Sequence, residues 1–464
     1  MPDLYTDNQV DLYAIQEALG VAPVIPVLGY TSADMQDAVD AALSLPKGGV
    51  VVLPPGQHTW ATPIVVDLSS NVSASSGSRI VIRGAGSAVC YITFTADSET
   101  ALTITGASPS TWVTGGAQTQ LRLEGFRLSG GTPAPASARG GIELNMVIDA
   151  TFNDVQITEC YQALLMVDTV ITRFFSCNVT YNNYGIRGEP GPLYGTNVGS
   201  PPNEILFSGC HFLNNRQYGL WFELSTNIVF NGGSFENNGI TASLAGLPGA
   251  WTSDTDRWGI RITNGGYNGA GILTMVGTHF EGQCGKAGVW MEHNDWPGIY
   301  NIDIDFVQNG TLYCDAPILF DTTGDTKAVV NVRSGFHSVN GYTPSSSRRY
   351  IQQGTVTGTL HRINYESSMF ESDTECPSFG DQTHIPATNS LDRIGSITKK
   401  YVGVHSLVYW FSNDTLITSG SGSPEGASTA NLGSVYIRAD GSGGSIIYFK
   451  TGSGFNSTGW TAIL

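Results

Sequence analysis

The sequence predicts an all-β chain wound as a right-handed parallel β-helix, and three observations carry that expectation. A short segment recurs along the middle of the chain, opening on a small or turn residue and running into an alternating strand. Charged residues make up only 13 % of the 464, against about a quarter in ordinary domains. Polarity comes instead from Gly, Ser, Thr and Asn, and Gly and Asn tolerate the positive φ of tight turns.

The copies of the repeat are Gly141-Ile-Glu-Leu-Asn145, Ala163-Leu-Leu-Met-Val167, Gly185-Ile-Arg-Gly-Glu189, Gly219-Leu-Trp-Phe-Glu223, Gly259-Ile-Arg-Ile-Thr263, Gly288-Val-Trp-Met-Glu292 and Pro317-Ile-Leu-Phe-Asp321. Their second position is always Ile, Leu or Val, and the fourth is apolar except at Gly188. Period-two alternation turns these two positions inward and the third and fifth outward. A second strand follows in most copies. Phe207 to Asn215 matches Phe230 to Asn238 and, less closely, Met275 to Gln283. Phe212, Phe235 and Phe280 are expected to stack inside, and Asn215 and Asn238 to form a hydrogen-bonded ladder at a turn. Copies are about 22 to about 40 residues apart, within the solenoid range, and the extra residues fall in insertions at Pro190–Pro202 and Ile240–Arg257. One repeat cannot bury its own face, so stacked coils share a core. Parallel crossovers wind them right-handed.

In chain order, residues 1–30 read as an N-terminal arm that could attach to a particle. An amphipathic helix starts at Thr31 or Ser32, with Met35, Ala38, Val39, Ala42 and Leu43 at helical spacing. It ends before Lys47-Gly48-Gly49. A β-branched run, Val50 to Leu53, is stopped by Pro54-Pro55-Gly56, and Ile80-Val81-Ile82-Arg83-Gly84-Ala85-Gly86 follows. The helical body spans 31–372, residues 373–395 read as a linker, and 396–464 form a small C-terminal β-domain for trimerisation or binding.

The stretch from Ala41-Ala42 through Gly48-Gly49 and Leu53-Pro54-Pro55-Gly56 to Ile82-Arg83-Gly84-Ala85-Gly86 resembles the start of pectate-lyase-like β-helix proteins (the pectin-lyase-like solenoid). The resemblance implies that the helix plugs the end of the core. Near the C-terminus, Gly422-Ser-Pro-Glu-Gly426, Gly433-Ser-Val-Tyr-Ile-Arg438, Asp440-Gly441, Tyr448-Phe-Lys450 and Thr458-Gly-Trp460 resemble a module of roughly 40 residues that recurs in phage structural and tail proteins. Together the two resemblances imply a phage tail spike or tail fibre: a homotrimer, held in a virion with other virion proteins. The chain departs from the tailspike pattern in its short arm 1–30 and in a carboxylate pair that no family motif marks.

Composition narrows the partners. The net charge of −17 argues against nucleic acid, which needs a basic field. A polyanion would need local Arg or Lys against a repulsive whole-molecule field. Cys90, Cys160, Cys177, Cys210, Cys284, Cys314 and Cys376 are odd in number without a CxxC pair, so buried free thiols are expected rather than a disulfide framework or a zinc site. No apolar stretch is long enough for membrane insertion, and no secretory signal opens the chain. A chain that handles external sugars without such a signal suggests a particle released by lysis.

The outward positions point to that sugar. They run Arg187 and Glu189, Trp221 and Glu223, Arg261 and Thr263, Trp290 and Glu292, Leu319 and Asp321. Solvent-facing Trp rings stack on the apolar faces of sugars, while Arg and carboxylates bond hydroxyls or acidic groups. The expected ligand is a bacterial surface polysaccharide, capsule or lipopolysaccharide, with Trp221, Trp290, Arg187, Arg261, Glu189 and Trp251 as binding residues. The rival expectation is that insertions fold back and bury these Trp rings as satellite core.

Glycoside hydrolysis needs two carboxylates, about 5–5.5 Å apart for retention or about 6.5–9.5 Å for inversion. With coils about 4.8 Å apart, Glu292 and Asp321 match the first spacing, and Glu223 and Glu292 match the second. The preferred catalytic set is Glu223 with Glu292, then Asp321, and the rival is a column of surface acids that merely solvates the coil. A lyase would instead use a base and a charge neutraliser, with Arg261 and His293 as candidates. Asp303 and Asp305 face one side of a strand, but two carboxylates make a poor calcium cage, so neither metal nor cofactor is expected. His211 and His279 fall near the Phe ladder and read as packing residues. A non-catalytic adhesin and a purely structural virion fibre remain the alternatives.

Overall fold

The computed structural model describes residues 22–45, 48–69, 79–106, 120–131, 139–191, 202–224, 226–239, 257–265, 271–282, 285–294, 298–309, 314–323, 328–339, 351–353, 362–367, 409–411, 415–438, 440 and 447–463. The chain divides into two compact units, Met1–Thr383 and His384–Leu464.

The first unit is the parallel β-helix that the repeat predicts. One sheet has ten strands, each paired to the next coil's copy, from Ile64–Asp67 through Tyr184–Glu189 and Tyr218–Glu223 to Ile351–Gln353. A 17-stranded sheet closes the other side of the coils. The coil-to-coil pairings are parallel and nearly in register, and such crossovers wind right-handed. Among the described residues no helix is long and apolar enough to cross a membrane.

The core is built from ladders of like residues. Phe152, Phe174, Phe207 and Phe230 stack with ring centroids 4.6, 4.6 and 4.8 Å apart. Phe212, Phe235, Phe280 and Phe306 form a second stack at 4.4, 5.1 and 5.7 Å. The Asn ladder extends one coil further than its sequence signature. Asn182 Nδ2 donates to Asn215 Oδ1 at 3.0 Å, and Asn215 Nδ2 donates to Asn238 Oδ1 at 2.9 Å, with all three residues fully buried. Cys90, Cys160, Cys177 and Cys210 are buried free thiols. Burial pushes the Cys160 thiol up to about 12, which keeps it protonated and inert. His211 corrects its expectation: it is exposed, and its Nδ1 lies 2.8 Å from Ser234 Oγ. His279 is likewise bonded outward, to Asp305.

The N-terminal helix is Ser32–Leu43, with Thr31 and Asp34 forming a reciprocal capping box. Its Met35, Ala38, Val39 and Ala42 join the main core. Gln36 also seals the first strand of the ten-stranded sheet. Its Nε2 donates to Val65 O, and its Oε1 accepts from Val65 N, both at 2.9 Å. An edge strand otherwise presents unpaired backbone groups to other chains. The helical body begins inside the expected arm 1–30, because Val24–Pro26 pairs in parallel with Val50–Val52.

The second unit is a five-stranded sheet around Leu416, Ala430, Tyr436, Tyr448 and Trp460. Its sequence signatures meet in space. Glu425 accepts from the backbone N–H of Gly459 at 2.9 Å and of Trp460 at 2.7 Å. Those two bonds, Gly459 first, hold its carboxyl below the ordinary range. Trp460 Nε1 donates to Ser428 O at 2.9 Å. The expected linker 373–395 lies outside the described residues.

Candidate functional site on the outer flank of the ten-stranded sheet

The outward third positions form one unbroken register column: Glu143, Leu165, Arg187, Trp221, Arg261, Trp290 and Leu319. Beside it, Glu223 pairs with Thr263, Thr263 with Glu292, and Glu292 with Asp321. For Asp321 only the backbone register is described. Trp251 lies outside the described residues.

In-register coils are so close that a flat side chain presents its faces to the coils above and below it. Arg and Trp alternate here and fill one another's faces. The Arg187 guanidinium carbon lies 4.6 Å from the Trp221 ring centroid, and that of Arg261 lies 5.1 Å from Trp221 and 4.1 Å from Trp290. Trp290 is only 6 % exposed, whereas Trp221 is half-buried. The expectation of open Trp290 and Trp221 platforms is therefore corrected. Trp221 is sandwiched between two guanidinium groups and Trp290 carries one, that of Arg261, and the column offers solvent the Trp221 edge and the charged groups.

A third column went unnoticed in the repeat. Gln162, Tyr184, Tyr218, Trp258 and Ala287 are in register one residue before each copy's first position. Strict alternation would send them inward. Instead, Tyr218, Trp258, Ala287, Trp290 and Leu319 form a cluster separate from the main core, with Tyr184 and Trp221 packed against it. The cause is the small first residue. Ala101 with Leu102, and Ala163 with Leu164, are consecutive residues that both enter the main core, which reverses the parity before them. The space for that turn is tight, since a Cβ on Gly185 would meet Gly219 O at 2.0 Å. The signal in the sequence is an aromatic before glycine, at Tyr184-Gly185, Tyr218-Gly219 and Trp258-Gly259. Tyr218 stacks on Trp258 at 5.5 Å and 3°, and donates to Gln162 Oε1 at 3.1 Å. Burial raises the hydroxyl of Tyr184 to about 12 and pushes that of Tyr218 up further, so neither is a ready base.

The charged groups are interlocked. Arg187 Nη2 lies 2.7 Å from Glu189 Oε2 and 2.7 Å from Glu223 Oε1. The two carboxylate oxygens on this one nitrogen are thus no further apart than twice that distance. Arg261 donates to Glu292 Oε2 through Nη2 at 2.5 Å and Nε at 3.1 Å. The Glu189 carboxyl is raised above its ordinary range, first by burial and then by the neighbouring Glu223 and Glu143, with Arg187 opposing. Among the described residues no group of three His, Cys, Asp or Glu side chains is placed to hold a metal ion.

The fold and flank together define a parallel β-helix whose outer face carries an ordered Arg–Trp–carboxylate strip. No family model matches the chain, and no curated protein does. Among solved structures, it is similar to ORF18 of Geobacillus virus E2 at 16 % identity and TM-score 0.49, covering 79 % of this chain and 65 % of that one. It is also similar to the full-length tailspike protein 2 of an Escherichia coli bacteriophage, at 15 % identity and TM-score 0.44, covering 72 % of this chain and 39 % of that one. A third likeness is the DFA-IIIase of Arthrobacter chlorophenolicus A6, at 10 % identity and TM-score 0.45, covering 74 % and 93 %. The chain thus spans less than two thirds of either viral protein. The fold assignment rests on this chain's own strand register.

Proposed function

We propose that the chain is a receptor-binding spike or fibre of a phage virion, which docks a bacterial surface polysaccharide along the outer flank and cleaves it there. The observation that carries this reading is the in-register strip from Arg187 to Glu292, a rigid linear surface of the kind a repeating polymer fits. Assignment to a virion draws on the C-terminal signature, whose Ser-Pro-Glu-Gly and Gly-Trp elements are joined through Glu425. A homotrimer and attachment to other virion proteins belong to the same proposal.

For cleavage, two carboxylate pairs are available. Glu189 and Glu223 share Arg187 at a separation compatible with the roughly 5–5.5 Å of retaining enzymes. Glu223 and Glu292 stand two coils apart across Thr263, nearer the inverting range. The raised carboxyl favours Glu189 as proton donor to the leaving oxygen, with Glu223 attacking the anomeric carbon. Water then releases the sugar, with Glu189 as base. Asp321 remains a candidate through its register with Glu292.

A second reading, an adhesin that binds without cutting, is favoured by the ion pairs that hold Glu223 and Glu292. The test is incubation with host polysaccharide followed by size-exclusion chromatography, for wild type, Glu189→Gln, Glu223→Gln and Glu292→Gln. Shortened chains, lost in Glu189→Gln and Glu223→Gln with affinity kept, are expected. Intact chains that still bind would establish the adhesin. A uronate absorbance in the products would establish elimination instead of hydrolysis.

A further inference from the structure

We infer that the polysaccharide repeat docking on this flank carries no acidic group. This rests on the docking reading above and narrows it to a substrate class. The reason lies in how the flank's cations are occupied.

An acidic sugar is recognised by a guanidinium or ammonium free to pair with its carboxylate. In the described part of the strip the guanidinium groups are Arg187 and Arg261, and each is already paired. Arg187 holds Glu189 and Glu223, both at 2.7 Å. Arg261 holds Glu292 through two nitrogens. Its flat faces are also covered, with Trp258 at 4.8 Å and Trp290 at 4.1 Å from the guanidinium carbon. Glu143 lies in the same column and accepts from a neutral partner, Asn145 Nδ2, at 2.8 Å.

Four carboxylates, those of Glu143, Glu189, Glu223 and Glu292, thus face two guanidinium groups along the strip. The accessible groups are mainly oxygen acceptors. Side chains of Glu189, Glu223 and Glu292 are 27 %, 28 % and 29 % exposed; Arg261 is 19 % exposed, and Arg187, at 34 %, is more open but is occupied by two carboxylates. Acceptors of this kind suit sugar hydroxyls, which donate, or amino groups. A uronate or sialate would bring like charge against them, with the −17 of the whole chain repelling it at longer range. The same reasoning removes β-elimination, which requires a uronic acid.

The experiment uses the full chain on an immobilised panel. The panel holds neutral polysaccharides with free 6-hydroxyls (amylose, 1→4-linked mannan, 1→4-linked galactan and neutral O-antigens), the same chains oxidised at C6 to uronates, and capsules containing uronate or sialate. Binding to a neutral chain, weakened about tenfold or more in its oxidised counterpart and changed little by salt, is expected. The double variant Glu189→Gln, Glu223→Gln frees Arg187 and should recover binding to the oxidised chain. An acidic chain bound by wild type as tightly as, or tighter than, any neutral one would overturn the inference and leave docking intact. Binding to nothing in either set would overturn the docking reading, and this inference with it.

Discussion

Arg261 lies 4.1 Å over the ring of Trp290 and grips Glu292 with the same guanidinium, so one side chain ties two positions of the next coil. Arg261→Ala removes contacts to three Trp rings and takes from Glu292 the guanidinium it accepts from. Cation–π contacts of this kind contribute about 0.5–2 kcal/mol each. The variant should lose about 2–3 kcal/mol in urea unfolding, with a red shift in native Trp emission. Arg261→Lys keeps the charge but not the flat stack, and should fall between. An Arg261→Ala protein with unchanged midpoint and emission would mean that the ladder contributes nothing.

Gly188 breaks the apolar pattern because the next coil fills its space. A Cβ there would meet Phe222 Cδ1 at 2.2 Å and Pro202 Cγ at 2.9 Å. Gly188→Ala should destabilise by about 1–3 kcal/mol through overpacking. Combining it with Phe222→Leu should recover part of the loss. A double-mutant cycle with no coupling would refute this knob-in-hole account.

Asn215 is fully buried and has no apolar substitute. It donates to Val179 O at 2.9 Å and to Asn238, and accepts from Asn182. Asn215→Ala should cost about 2–4 kcal/mol by leaving those partners unsatisfied. Adding Asn182→Ala should cost less than the sum of the two single variants. Chemical denaturation of the four proteins decides it.

The raised Glu189 carboxyl gives a pH signature with a definite sign. A carboxyl whose folded value lies above its unfolded one stabilises the fold at pH below the ordinary Glu range, and that stabilisation is lost as pH rises through the folded value. Glu189→Gln mimics the protonated form and keeps Glu223 on Arg187. The variant should therefore be more stable than wild type at neutral pH, with the gap closing as pH falls through the carboxyl range. A gap that widens on acidification would show the opposite shift, and would also remove the case for Glu189 as proton donor.

Much of the fold was legible because coil stacking repeats its own signature. Phe212, Phe235 and Phe280 announce their stack by recurring in matched segments, and Met35, Ala38, Val39 and Ala42 announce the helix face. The third- and fifth-position residues were legible as outward for the same reason. The aromatic column Tyr184, Tyr218 and Trp258 was not, because it depends on two successive residues entering the core at each copy's start. Nor was the double hold of Arg187 on Glu189 and Glu223.

The sequence by itself determined the parallel helix, its repeat, its buried ladders and the chemical types lined up on one flank, since alternation and spacing are properties of the chain. Only the tertiary structure decided what those groups do to one another. The close rise between in-register coils turns flat side chains face to face, so Trp221 and Trp290 stack against Arg187 and Arg261 instead of lying open to a sugar. The same rise brings Glu223 onto the guanidinium that also holds Glu189, and Glu292 onto Arg261, which sets their reach, and no pattern within a single strand encodes that distance.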